Sequence, residues 1–103
     1  METARRHGIK VVIAVMNNAV LGYQKHAEDA LLGRHTSVCD FEPVDHAAIA
    51  RACGIKGIRI DRAQDIASAI KEAMAADESV LIDVITVPNA MPPVTTFTRL
   101  PQY

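Results

Sequence analysis

The sequence predicts an α/β fold: a mostly parallel sheet of about three strands with helices on both faces, three layers in all. Two observations carry this expectation. The run Val11-Val12-Ile13-Ala14-Val15-Met16 is continuous, apolar and rich in β-branched residues, the pattern of a strand buried on both faces in a helix-covered parallel sheet. A second run of the same kind, Val80-Leu81-Ile82-Asp83-Val84-Ile85, comes late in the chain. Between the two, apolar residues recur at helical spacing, so strands and helices alternate as in βαβ units.

In chain order, Thr3 to His7 reads as the last turn of a helix. Arg5, Arg6 and His7 suit its negative end and Gly8 its C-terminal cap. Ile9 to Met16 is the first strand. Gly22 to about Leu32 reads as a helix stopped by Gly33, followed by a polar loop to Asp40 that is long enough to be mobile. Pro43 fits the first turn of the next helix and Gly54 the position past its end. Val44, Ala48, Ile49, Ala52 and Cys53 give that helix one apolar face. In Ile55 to Ile60, Arg59 alternates with Ile58 and Ile60, which marks an edge strand. Asp61 and Gln64 form a capping-box pattern for a helix ending near Ala76, with Ile66, Ala69, Ile70, Ala73 and Met74 as its stripe. Ser79 to Val87 is the third strand, apolar almost throughout and hence central. Residues 1–87 thus make the α/β domain, and residues 88–103, with Pro88, Pro92, Pro93 and Pro101, an extended tail.

Composition narrows the function. The 103 residues suffice for one domain with a modest core. Eleven basic and twelve acidic side chains give a net charge of −1, which offers nothing to attract nucleic acid or an anionic membrane. With no Trp, two Tyr and two Phe there is no base-stacking platform. No apolar segment reaches membrane-spanning length. Cys39 and Cys53 lack metal-site spacing and read as reduced, structural thiols of a cytoplasmic protein.

The chemistry-bearing stretch is Asn17-Asn18, where the first strand stops, with Ala19-Val20-Leu21-Gly22-Tyr23 behind it. In open α/β sheets, ligands lie beyond the carboxyl ends of strands, and an Asn carbonyl can coordinate a hard cation. A plain turn built on Asn's backbone tolerance is the alternative. His26, His35 and His46 read as solvated or capping histidines. Glu28, Asp29, Asp61 and Asp65 read as solvated or helix-start charges. Asp83 interrupts a buried strand, so it needs a polar partner and is read as structural.

The strand VVIAVMNN with its apolar-Gly-aromatic loop resembles the second half of the thiamine diphosphate fingerprint of acetolactate synthase-type and 2-oxo acid decarboxylase enzymes. His7-Gly8-Ile9, Ala52-Cys53-Gly54-Ile55-Lys56-Gly57-Ile58-Arg59 and Val80-Leu81-Ile82-Asp83-Val84 are similar to the same domain, in the same order, from about Thr3 to about Pro93. The resemblance implies that the first and last strands are neighbours and that the chain is the C-terminal part of a partial thiamine-diphosphate-binding fold. It implies Mg²⁺ ligation by the side-chain oxygen of Asn18 and the main-chain oxygen of Val20. The backbone of Leu21, Gly22 and Tyr23 would approach the diphosphate. The family's Gly-Asp-Gly, source of another metal ligand, would lie before Met1, and its activating Glu belongs to another domain. No catalytic residue is therefore expected here, and the chain alone should not decarboxylate or ligate; thiamine diphosphate and Mg²⁺ are themselves not assured for it alone. A 2-oxo acid would be a substrate only of a full-length relative. The open edge along Val11 to Met16 calls for a second copy or a partner subunit, and a non-catalytic α/β module that associates in this way is the alternative function.

Overall fold

The computed structural model describes residues 1–90, so Pro92, Pro93 and Pro101 of the expected tail lie outside the described residues. In chain order the elements are α1 (Glu2–Arg6), β1 (Val12–Asn17), α2 (Gly22–Leu32), α3 (His46–Ala52), β2 (Lys56–Ile60), α4 (Ile66–Ala75) and β3 (Val80–Ile85), with 3-10 turns at Ser37–Cys39 and Ala63–Asp65. They divide into two compact units. One holds Met1–Asn17 and Asp45–Thr86; the other holds Asn18–Val44 and, among the described residues, 87–90.

The first unit contains the sheet, with strand order β1-β3-β2. Both pairings are parallel: Val12 lies opposite Val80 and Asn17 opposite Ile85, while Lys56 lies opposite Val80 and Ile60 opposite Val84. The late apolar strand is therefore central and β2 is an edge, as the run of apolar residues in one and the alternation in the other imply. The two faces carry separate cores. Ala69 and Ala73 of α4 pack on Val80, Ile82 and Ile60. Ala50 of α3 packs on Leu81 and Ile55, joined by Ile13 and Val15. Helices on opposite faces of one parallel sheet give the expected three layers.

Several local expectations are corrected. β1 is not buried on both faces: Val12 is 38% and Met16 66% exposed. Inward-facing Ile13 and Val15 alternate with them, because α4 packs over β3 and β2. Helix α3 begins at His46, three residues after Pro43. Asp45 is its N-cap and accepts the Ala48 N–H at 2.8 Å. Its packed face is also not the bulky stripe, since Ile49 is exposed while Ala47 and Ala50 are fully buried. Gly57 explains this: a Cβ there would lie 2.7 Å from the carbonyl carbon and 2.8 Å from the Cα of Ala47. Helix and strand approach so closely that only small residues fit between them. The Asp61–Gln64 capping box does not form. A 3-10 turn leads into α4, with Arg62 Nε 2.9 Å from Asp65 Oδ2, and Ile70 and Met74 remain exposed.

Asp83 is fully buried in β3. Its Oδ2 accepts the His46 backbone N–H at 3.1 Å and Arg59 Nη1 at 3.2 Å, tying the start of α3 to the edge strand. Asn17 Nδ2 donates to His46 Nδ1 at 3.2 Å. That leaves this ring nitrogen no proton for Asp83 Oδ1, which is 3.5 Å away and, among the described residues, has no hydrogen-bond partner. The structural reading of Asp83 holds. Replacing the Asp45 cap by alanine is expected to cost about 1 kcal/mol, read as a lower urea midpoint with unchanged slope.

Candidate functional site

The two asparagines part company at the unit boundary. Asn17 ends β1, and its backbone oxygen accepts the Thr86 N–H at 2.9 Å. Asn18 opens the second unit. Its Oδ1 accepts the Val20 N–H at 3.2 Å, an Asx-type turn. The turn forces Ala19 to a φ of 54°, a left-handed conformation that side chains other than Gly and Asn resist. Strain of this kind persists only where the surroundings over-determine it.

Here the surroundings are visible. Val20 and Asp40 form an antiparallel bridge. Leu21 N–H donates to the Cys39 carbonyl at 2.8 Å, and Phe41 N–H donates to the Ala19 carbonyl at 2.9 Å. The loop from Asn18 to Leu21 is thus held by a second strand-like segment. It leads into α2, whose N-cap position is Leu21 with no side-chain cap and no acid in the first turn. An eleven-residue helix begun this way presents backbone N–H groups and a positive dipole end suited to an anion. Gly22 sits close under the Asn18 amide: a Cβ there would lie 3.0 Å from Asn18 Nδ2, so the amide would have to shift by a few tenths of an ångström to admit a side chain.

Asn18, Val20, Leu21, Gly22 and Tyr23 are therefore brought together in one turn at a helix N-terminus. These residues fit a diphosphate with its cation in part. The amide oxygen of Asn18 keeps a second lone pair, and the main-chain oxygen of Val20 lies in the same turn. Among the described residues no group of three His, Cys, Asp or Glu could hold a metal ion, so any site would draw further ligands from phosphate, water or another chain.

The segment behind the loop is more ordered than its polar sequence implies. Glu28 of α2 accepts from Gln24, from the backbone and hydroxyl of Thr36 at 2.7 and 3.0 Å, and from the Cys39 thiol at 3.8 Å. The Gln24 bond, then those from Thr36, hold its carboxyl below the ordinary range. Burial, then the Glu28 charge, pushes the Cys39 thiol up, so it is packing material and not a nucleophile.

Asp29 pairs with Lys25 Nζ at 2.8 Å and with His35 Nδ1 at 2.9 Å, while His35 Nε2 lies 3.2 Å from Asp40 Oδ1. The Lys25 hydrogen bond first, and His35 next, hold Asp29 at about 2. The Asp29 hydrogen bond is the main cause that raises His35. Glu28, Asp29 and His35 are thus not the solvated charges their sequence context suggested. Nor is His26, which is buried and lies with Nε2 3.1 Å from the Ala90 carbonyl oxygen. No helical spacing relates His35 to Asp40 or Asp29; the turn at Gly33, with φ of 78°, brings them together. Sequence alone carried no signal for that.

Among the described residues no helix is long and apolar enough to cross a membrane. The family described as thiamine pyrophosphate enzyme, C-terminal TPP binding domain, matches residues 1–84. The acetolactate synthase large subunit of Haemophilus influenzae is 33% identical over 86 residues, covering 82% of this chain and 15% of that protein. The sulfoacetaldehyde acetyltransferase of Castellaniella defragrans is 34% identical over 74 residues, covering 72% and 12%. Among solved structures, the thiamine diphosphate-dependent 4-hydroxybenzoylformate decarboxylase of Rhodococcus jostii RHA1 superposes with a TM-score of 0.77 at 31% identity. That match covers 84% of this chain and 16% of the decarboxylase. The chain thus spans only 12–16% of the length of these relatives. By matched length, strand order and the Asn-Asn turn that opens α2, it belongs to the C-terminal TPP-binding domain family of acetolactate synthase-like thiamine pyrophosphate enzymes.

Proposed function

We propose that this chain holds the diphosphate end of thiamine diphosphate together with Mg²⁺, the cation taking the side-chain oxygen of Asn18 and the main-chain oxygen of Val20. The observation that carries the reading is the uncapped, acid-free start of α2 directly behind the Asn18 turn. The backbone of Leu21, Gly22 and Tyr23 orients the diphosphate, and Gly22 leaves room for the Asn18 amide. When bound, the cofactor supplies the carbanion-stabilising chemistry on which 2-oxo acid decarboxylation and carboligation depend. The activating acid and the substrate pocket of such reactions are assigned to other parts of a complete enzyme, so this chain alone is expected to turn over no 2-oxo acid. A cytoplasmic setting suits its two free cysteines.

The experiment is a calorimetric titration of thiamine diphosphate with Mg²⁺ into the chain and into Asn18→Ala. Saturable binding weakened at least tenfold by the substitution is expected, since losing even an outer partner of a metal ligand costs about 10–100-fold and Asn18 is proposed as a ligand itself. Equal binding by both proteins, or none by either, removes Asn18 from the role.

A second reading has its own observation. Val12 and Met16 stand exposed along an edge strand, and such an edge invites pairing with another chain. In this reading the chain is a non-catalytic module that associates with a second copy or with a partner subunit. Sedimentation of the wild type against Met16→Lys distinguishes a self-associating chain, which the lysine would dissociate, from a monomer.

A further inference from the structure

His35 sits between two carboxylates that can only accept hydrogen bonds. Nδ1 is 2.9 Å from Asp29 Oδ1 and Nε2 is 3.2 Å from Asp40 Oδ1. Both ring nitrogens must therefore donate at once, which only the imidazolium can do. One carboxylate belongs to α2. The other belongs to Asp40, whose backbone is bridged to Val20 between the Leu21–Cys39 and Phe41–Ala19 hydrogen bonds.

We propose that His35 is a positioning residue for the turn from Asn18 to Leu21. Its imidazolium clamps Asp40 to α2, and loss of its proton releases the segment that holds Val20 and Leu21 in place. The inference rests on the proposed cofactor reading, and it adds a pH-dependent control of that same site. The charged groups around the ring are Asp29, itself paired with Lys25, and Glu28, all on α2, with Asp40 and the sequence neighbour Arg34 on its own segment.

The sign follows from the two carboxylates. His35 is raised above its ordinary value by the Asp29 hydrogen bond first, so the clamp is complete below ordinary histidine pH and is lost as pH rises through the raised value. Asp29 is held at about 2, so its side of the clamp is complete above the ordinary carboxylate value and is lost only as pH falls toward 2. The clamp is whole between the ordinary carboxylate and the ordinary histidine values, and it opens as pH rises above the latter through the raised His35 value. Glu28 grips Thr36 by bonds that do not titrate there, so the release loosens the loop and does not detach it.

Two measurements on the full chain separate the clamp from the cofactor reading. The first follows amide exchange of Leu21 and Phe41 against pH, with the His35 ring titration followed by NMR. Protection of both amides is expected to fall as the ring deprotonates. His35→Gln should show low protection that ignores pH, and His35→Arg, a permanent cation between the two acids, should show high protection that also ignores it. The second is the affinity for thiamine diphosphate with Mg²⁺ in the same three proteins. The wild type should weaken about tenfold across the ring titration, the scale expected for a residue supporting a metal ligand. His35→Gln reports the ligand's own titration, and His35→Arg should restore tight binding at pH values above the ring titration. Circular dichroism confirms that each variant is folded.

If amide protection in the wild type ignores pH, or if His35→Gln matches the wild type in both measurements, the clamp is wrong. Should protection follow the ring while no protein binds the cofactor at any pH, the clamp stands and the cofactor reading falls.

Discussion

Replacing Gly57 by alanine is expected to destabilise the first unit by about 3 kcal/mol, the upper range for overpacking a close contact. The added methyl would enter the backbone of Ala47, with the carbonyl carbon at 2.7 Å and the Cα at 2.8 Å. Backbone cannot swing aside as a flexible side chain does. The strain is relieved only by lifting α3 off β2, which uncovers Ala50, Ile55 and Leu81. Thermal melting should show a midpoint lower by roughly 15 °C, given about 4–8 °C per kcal/mol for a domain of this size. A shift of less than about 4 °C, corresponding to under 1 kcal/mol, would show that the helix approaches the strand less closely than described.

The second large effect is expected at Asp83. Asp83→Ala removes the acceptor of the His46 N–H and of Arg59. A hydrogen bond to a charged group contributes about 1.5–3 kcal/mol, and a buried donor left without a partner adds a similar cost. Arg59 is 40% exposed, so its ion pair is screened and adds little. The sum expected is about 3 kcal/mol, measured by urea unfolding. Asp83→Asn separates the causes. Its carbonyl oxygen can still accept from His46 and Arg59, and its amide group replaces Oδ1, the oxygen that now lacks a partner. The asparagine variant should therefore lose about 1 kcal/mol or less. If it loses as much as alanine, the negative charge matters more than the hydrogen bonds.

How much of this was legible in the sequence depends on the range of the signal. The strands could be read because hydrophobic pattern reports burial directly. Val80 to Val84 is apolar almost throughout and central, while the Arg59 alternation marks an edge. The cap at Gly33 could be read because only glycine takes φ of 78° at little cost. What failed were inferences from side-chain bulk. The Ile49 stripe of α3 looked like a core face, but the distance between α3 and β2 is set by Gly57, on another element. In the candidate site, the Asn18 turn and Gly22 carried the resemblance and do come together. The Asp29–His35–Asp40 bridge did not show, because it depends on a turn reversing the chain and no fixed spacing encodes it.

The strand order also has a consequence in time. Val11 reaches Ser79 across 68 residues of chain, whereas the β2–β3 contact of Arg59 with Asp83 spans 24. Closing the longer loop costs about 1 kcal/mol more in chain entropy, so β2, α4 and β3 are expected to assemble before β1 joins them. On a ribosome adding about 5–20 residues per second, β1 emerges roughly 3–14 s ahead of β3, its one neighbour among the described residues. Through that interval a valine-rich segment with unpaired backbone groups waits in water. Of the three described strands the first made is the last expected to dock, and it is the one most in need of a chaperone.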